Sequence, residues 1–451
     1  MKKAFVVSFE QLPACMLGCY GHQWIETPNF DRLASLSVLF DQHFANDLSS
    51  VENSFPWWTG QTRPHAFQTA NQQSHCFVTE LKNQGVDTSL LLEADSDSGR
   101  NAAQRAQEAY FSCFEQVDTI AGTNDYRISE SETPVAKLMQ AAVARLPEWM
   151  ADSRDQLIWI RSEGVPAFPL APEFFATLYL DEVLDQDESE EDSEERIQEI
   201  DDLTSEETET DLEAEDWQEL VSAVAELFTS QEEWSGLDEQ ERQMARVVYA
   251  GYVTMLDQWF GRFLDRLLEY AESHSLLLIV TAARGGNSLL GPLRQSDMEG
   301  LLEESTHIPL MIFQSDTEQA GSRRQFLTQP ADLPVALRSW WNVKSEHQSD
   351  QGTDLLLLLE DQQELPEPQI FAADDDTLAM RTSEYYYLES QVNQLSDGGD
   401  YSDDLQKKEL YRKPVDRWDV ADVHLQSPEV VAEITSQLME LKQKKHDHNL
   451  P

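Results

Sequence analysis

The sequence contains few basic residues, few cysteines and no long apolar run. Its 32 Lys and Arg residues face 84 Asp and Glu residues, which gives a formal net charge of −52 at pH 7. This charge argues against nucleic acid and anionic membrane surfaces as partners, because both would be repelled. No run of about 18 apolar residues occurs, so no transmembrane span is predicted.

The small number of cysteines narrows the class of protein further. Their spacing is that of neither a zinc site nor a disulfide framework. The apolar stretch after Lys3 is interrupted at Glu10, which makes it too short for a signal peptide. We therefore expect a cytoplasmic protein with reduced, structural thiols at Cys15, Cys19, Cys76 and Cys113.

Short β-branched or apolar runs alternate with amphipathic stretches along most of the chain. Residues 4–8 (AFVVS) predict a buried strand, and Thr27 can cap a helix that begins at Pro28. Further strands are predicted at residues 38–44, 87–92, 156–160 and 276–281, and helices at residues 77–84, 134–149 and 244–271. This alternation predicts an α/β fold with a mostly parallel central sheet flanked by helices.

One acidic stretch interrupts this pattern. In residues 181–216, Asp and Glu make up more than half of the sequence, and no aromatic residue occurs. Such a composition cannot bury enough apolar surface to offset the entropy lost on ordering. We predict a mobile insertion that is dispensable for folding, and any partner that it binds should be basic or a divalent cation.

Several motifs resemble, in the same order, those of the sulfatases in the alkaline phosphatase superfamily. Residues 18–21 read GCYG and residues 27–29 read TPN, and residues 261–265 read GRFLD at the end of the long predicted helix. Residues 308–313 (IPLMIF) and the stretch from Glu409 (ELYRKPVDRWDVADV) continue the likeness. The resemblance implies a sulfatase-like α/β domain over residues 1–360 and a small C-terminal α+β subdomain over residues 361–451.

The resemblance also implies where the catalytic groups should lie. The two metal-binding aspartates of the family fall on Glu10 and Gln11, or one residue earlier on Phe9 and Glu10. The nucleophile position falls on Ser50, but the family's Pro and Arg after it are replaced by Glu52 and Ser54.

The remaining family positions have also changed. The Lys-x-His pair falls near Glu93 and Asp95, and the Pro-His pair is replaced by a stretch that begins at Glu163. The later Asp-His pair falls on Ala283 and Arg284, and Arg284 could itself occupy the metal position.

These changes leave two hypotheses. In the first, the chain has lost sulfuric ester hydrolase activity and serves in binding or assembly, with no cofactor and with the acidic stretch as a partner-binding arm. In the second, it is an active hydrolase with Ser50 as nucleophile and a rebuilt calcium site. Carboxylates for that site would come from Glu10, Glu52, Glu93, Asp95 and Glu163.

Overall fold

The large sheet of the molecule has eight strands. The computed structural model describes residues 1–46, 57–58, 60, 76–93, 110–117, 128–165, 171–179, 239–286, 301–344, 352–359, 369–373, 377–390 and 407–447. The strands are β1 (Lys2–Gln11), β2 (Val38–His43), β3 (Asp87–Glu93), β4 (Cys113–Val117), β5 (Gln156–Gly164), β6 (Ser275–Arg284), β7 (Leu310–Gln314) and β8 (Arg323–Thr328). They lie in the order β4-β3-β5-β1-β6-β7-β2-β8.

This sheet is mostly parallel, as the alternation predicted. Only β7 runs against its neighbours β6 and β2 among these pairings. Strand β1 lies in the centre, because it pairs in parallel with β5 on one side and with β6 on the other. The predicted strands at residues 4–8 and 276–281 are therefore direct neighbours in one sheet.

Helices cover both faces of the sheet. They are α1 (Pro28–Leu36), α2 (Phe77–Asn83), α3 (Pro134–Ala151), α4 (Glu173–Ala176), α5 (Glu239–Leu268), α6 (Glu303–Thr306), α7 (Asp332–Trp340) and α8 (Leu355–Leu359). Because side chains alternate along a strand, Phe5 and Val7 of β1 pack with α3 and α5, whereas Ala4 and Val6 join a second core with α2 and α7. No helix among the described residues has the length and apolar character needed to cross a membrane.

The first helix is capped differently from the sequence prediction. The hydroxyl of Thr27 does not cap α1, because it accepts a hydrogen bond from the backbone N–H of Gly18 at 2.9 Å. The carboxylate of Asp257 on α5 takes that role, and it accepts from the N–H groups of Asn29 at 3.1 Å and Phe30 at 2.8 Å. Burial raises the pKa of Asp257 to about 6, although these bonds lower it in part.

The C-terminal part forms a separate antiparallel sheet. Its strands are β9 (Ile370–Ala373), β10 (Thr377–Arg381), β11 (Tyr385–Ser390) and β12 (Lys408–Arg412), in the order β12-β11-β10-β9. The last helix, α9 (Pro428–Asp447), packs Ile434 and Leu438 against this sheet. The boundary predicted at residue 360 and the acidic stretch at residues 181–216 lie outside the described residues.

Candidate functional site

The carboxyl ends of β3, β5, β1 and β6 meet at one edge of the large sheet. Ends of parallel strands are where α/β folds commonly place functional groups. This edge brings together Glu93, Glu163, Glu10 and Arg284, each at or near the end of its strand. Ser50, Glu52 and Asp95 lie outside the described residues, so their placement stays a prediction.

Glu10 is paired with a cation that the sequence motifs did not indicate. The Nη2 atom of Arg161 on β5 donates to Oε2 of Glu10 at 2.7 Å. Both side chains are largely buried, with 13% of Arg161 and 9% of Glu10 exposed. The carboxylate that the resemblance places at a metal-binding position is therefore held by an internal ion pair.

The strand register explains why these two groups meet. Ser8 is paired with Arg161, so Arg161 projects on the same face of the sheet as Ser8 and Glu10. Trp159, two residues before Arg161, donates its indole N–H to the hydroxyl of Ser8 at 2.8 Å on that face. On the other side of β1, the register places Ala283 beside Glu10, at a position where the resemblance implies an aspartate.

Gln11 and Arg284 are neighbours, but they belong to the opposite face. They are register partners on β1 and β6, one residue beyond Glu10 and Ala283. The backbone carbonyl of Gln11 accepts from Val165 N–H at 2.8 Å. Gly164 allows this close approach, since it has φ +72° and an added Cβ would lie 2.1 Å from the Gln11 carbonyl oxygen. In the structure it is Arg161, and not Arg284, that forms the ion pair with Glu10.

Glu93 lies in a different environment at the end of β3. Its carboxylate accepts from the hydroxyl of Ser162 at 2.7 Å and from the backbone N–H of Glu163 at 3.1 Å. Only 4% of the residue is exposed, and it forms no ion pair with another described residue. Burial raises the pKa of Glu93 to about 7, and the two hydrogen bonds lower it only in part. Near neutral pH this group is therefore a mixture of acid and carboxylate.

A calcium ion does not fit the residues described at this edge. Calcium takes about six to eight oxygen ligands, with several carboxylates among them. Of the described residues, no three His, Cys, Asp or Glu side chains are grouped closely enough to hold a metal ion. Glu10 is already bonded to a guanidinium, and the neighbouring position on β6 is the methyl group of Ala283.

A second buried charge cluster joins the two sheets. The carboxylate of Glu303 on α6 bonds to Nη1 of Arg381 on β10 at 2.6 Å, and it also contacts the ammonium group of Lys413. That ammonium group lies 2.7 Å from Asp419, whose other oxygen accepts from the Glu303 N–H at 2.7 Å. No sequence motif indicated the contacts of Glu303, which join residues 78 to 116 positions apart.

Comparisons with known proteins agree with this architecture. A family model described as Sulfatase matches residues 2–343. A protein solved in complex with its substrate D-glucosamine-2-N,6-O-disulfate has a TM-score of 0.68 and 16% identity, with 99% of this chain and 98% of that chain covered. The phosphonate monoester hydrolase of Agrobacterium radiobacter has a TM-score of 0.65 and 16% identity, covering 98% of this chain and 96% of that chain.

A structure described as a 2-O GAG sulfatase has a TM-score of 0.63 and 14% identity, covering 100% of this chain and 94% of that chain. At such identities the similarity concerns the fold, and the chemistry has to be argued from this chain's own residues.

Proposed function

We propose that this chain, which belongs to the sulfatase family, has lost sulfuric ester hydrolysis and functions by binding a protein partner. The observation that carries the proposal is the ion pair between Glu10 and Arg161, at 2.7 Å, where the family resemblance implies a metal-bound carboxylate. A divalent cation at Glu10 would meet the positive charge of the guanidinium at close range, and the two would repel each other strongly in a buried site.

The charged residues at this edge of the large sheet also provide little stabilisation for an anionic ester. A hydrolase of this kind needs positive groups that stabilise the charge developing on the sulfuryl oxygens and the leaving group. The family's basic pair near β3 is replaced in this sequence by Glu93 and Asp95. The positive charge of Arg161 is already matched by Glu10. An anion would therefore gain little stabilisation here.

A loop of the C-terminal part supports the binding role. Between β12 and α9, large apolar side chains are exposed to solvent, namely Val415 (90%), Trp418 (52%), Val420 (61%) and Leu425 (83%). The loop is held in place by Asp416, whose carboxylate accepts from the backbone N–H groups of Val420 at 3.0 Å and Ala421 at 2.8 Å. Exposed apolar groups close together commonly mark interaction surfaces.

The charge of the chain indicates the kind of partner. With a net charge of −52, a second copy would be repelled and a basic protein would be attracted. The acidic stretch at residues 181–216 would strengthen that attraction. We also propose that the protein acts in the cytoplasm, as the sequence indicates.

The loss of hydrolysis is tested by a turnover assay on the full chain. The substrates are an aryl sulfate, glucosamine 6-sulfate and an aryl phosphonate monoester, which cover the ester classes named for the structural neighbours. Protein is produced with and without a maturation enzyme for the nucleophile and is assayed with calcium or with a chelator. We expect no turnover above the buffer rate under any of these conditions.

The matched control is Ser50→Ala. Turnover by the wild type that disappears in Ser50→Ala would contradict the proposal and would support an active hydrolase with Ser50 as nucleophile. Turnover that is equal in both proteins would indicate a contaminating enzyme, and the assay would be repeated after further purification.

Partner binding is tested by photo-crosslinking in cells. A photoreactive residue replaces Trp418 in one protein and Met439, an exposed residue of α9, in the control. We expect position 418, and not position 439, to crosslink to a protein of net positive charge in a salt-sensitive manner. Crosslinks to a second copy of the chain, or identical products from both positions, would contradict a basic partner at this loop.

A further inference from the structure

We infer that the guanidinium of Arg161 is a built-in cation that takes the place of a metal ion at the carboxyl ends of β1 and β6. This inference rests on the proposed function, and it assigns to Arg161 a role that the motifs of the sequence do not indicate. At Glu10, the positive charge is then supplied by the chain itself and not by a metal ion.

The positions of the neighbouring residues support this assignment. Glu10 lies on β1 between Glu163 of β5 and Ala283 of β6, as the pairing of the flanking residues shows. Arg161 lies two residues before Glu163 on the same face of β5 and reaches Glu10 at 2.7 Å. The guanidinium is thus on the face shared by the positions of Glu10 and Ala283, which the family resemblance identifies as metal ligands.

Burial makes the pairing energetically important. With 13% of Arg161 and 9% of Glu10 exposed, neither charge is well solvated. Removal of one member of such a pair leaves an uncompensated buried charge, which is usually far more costly than removal of both. A chain without Arg161 therefore needs another cation near Glu10, which lies beside Glu163 of the neighbouring strand.

Removal of Arg161 should therefore make the stability of the protein depend on a divalent cation. Wild-type protein should be indifferent to a divalent cation at this edge, whereas Arg161→Gln should gain stability when one is added. Calcium at high concentration is the probe, because it accepts carboxylate and water ligands in flexible geometry and here needs only to compensate the charge of Glu10, without a full set of protein ligands.

The experiment compares melting temperatures in calcium and in chelator for wild type, Arg161→Gln and a matched control. The control is Arg266→Gln, which removes an Arg–Glu pair of similar length, 2.9 Å, that is about 60% exposed on both sides. It reports the general effect of calcium on a highly acidic chain. We expect Arg161→Gln to melt several degrees lower than both other proteins in chelator and to recover part of that loss in calcium.

Two further variants keep the test decisive if Arg161→Gln folds poorly. Arg161→Lys retains a positive charge and should show the small calcium response of the control. Glu10→Gln with Arg161→Gln removes both charges, so it should fold and should also lack the additional calcium response.

Terbium luminescence excited through tryptophan gives a second measurement, since Trp159 lies on the same face of the same strand.

The results separate this inference from the proposed function. A calcium response of Arg161→Gln no larger than that of Arg266→Gln would overturn the role of Arg161, whatever the turnover assay shows. A wild-type response that exceeds the control and is abolished by Glu10→Gln would show that Glu10 binds a metal, which would also overturn it. Absence of hydrolysis in either case would leave the proposed function standing.

Discussion

Two buried glutamates show how the sheet edge differs from the junction between the sheets. Among the described residues, Glu93 at the edge has a hydroxyl and a backbone N–H as partners and no cation, and burial raises its pKa to about 7. Glu303 at the junction is also buried, which alone would raise its pKa, but Arg381 and Lys413 more than reverse that effect and its pKa is lowered. At the junction, fixed cations hold Glu303 in its charged form, whereas burial without such a cation favours the neutral acid of Glu93.

Glu10 lies between these extremes. It is mostly buried like the other two, and it is bonded to the guanidinium of Arg161. The three sites form a series in the cations that contact the carboxylate among the described residues: none at Glu93, Arg161 at Glu10, and Arg381 with Lys413 at Glu303. The following changes test that series, from the largest expected effect to the smallest.

The largest effect is expected at the junction. Lys413→Met removes the ammonium group shared by Glu303 and Asp419, and Asp419 is only 1% exposed. Breaking such a buried pair commonly costs about 3–5 kcal/mol. Urea unfolding followed by circular dichroism should show a loss of this size.

The matched control for this change is Lys408→Met on β12. Lys408 is 28% exposed and lies 3.9 Å from Glu389, so its removal should cost about 1 kcal/mol or less. Equal losses in the two variants would show that the buried network does not hold the sheets together.

The next effect is a pH dependence centred on Glu93. Its folded pKa is about 7 and its ordinary value is 4.5, so the folded state binds more protons between these values. Stability from this group is therefore greatest below pH 4.5, falls as the pH rises to about 7, and is constant above that. Glu93→Gln should remove this dependence. The free energy of unfolding of the variant, relative to that of wild type, should therefore be about 1–3 kcal/mol higher at pH 8 than at pH 4.5.

Melting curves of wild type and Glu93→Gln across this pH range provide the measurement. Glu93→Asp serves as the control that keeps a titrating carboxyl group. Parallel stability curves for wild type and Glu93→Gln would mean that the pKa of Glu93 is the same in the folded and unfolded protein, contrary to its environment here.

An effect of similar size is expected for the pairwise energy of Glu10 and Arg161. In a double-mutant cycle with Gln at both positions, the two single changes should together cost more than the double change by about 1–3 kcal/mol. A coupling energy near zero would place this pair with the exposed ion pairs of the surface, such as Arg266 with Glu269.

The smallest effect is expected for the acidic stretch. Deletion of residues 181–216 should change the melting temperature by no more than about 2 °C, because its composition is unsuited to core packing. A deletion of similar length that removes α3 is the positive control for a packed segment, and it should prevent folding. A large fall in melting temperature on deleting 181–216 would show that the stretch packs against the core.

The general architecture could be predicted from the sequence because it follows from local patterns. The apolar runs at residues 4–8 and 276–281 define β1 and β6, and the long amphipathic helix was expected close to its observed bounds. These signals depend on periodicity within one segment.

The pairings that give the candidate site its character could not be predicted in the same way. Arg161 meets Glu10 across 151 positions only because β1 and β5 are aligned in one register. Asp257 caps α1 from 227 positions away, so the local cap signal at Thr27 was misleading. A lone arginine directly after the apolar run at residues 156–160 was the one signal that could have indicated a buried ion pair.

The most direct test of the account is the calcium content of the purified full chain. Wild type and Glu10→Gln are equilibrated with calcium, freed of unbound ion by gel filtration in buffer without added calcium, and measured by mass spectrometry of the elements. Because the account assigns the cation of this site to Arg161, we predict no stoichiometric calcium in either protein. One retained calcium ion per wild-type chain that is lost in Glu10→Gln would contradict it.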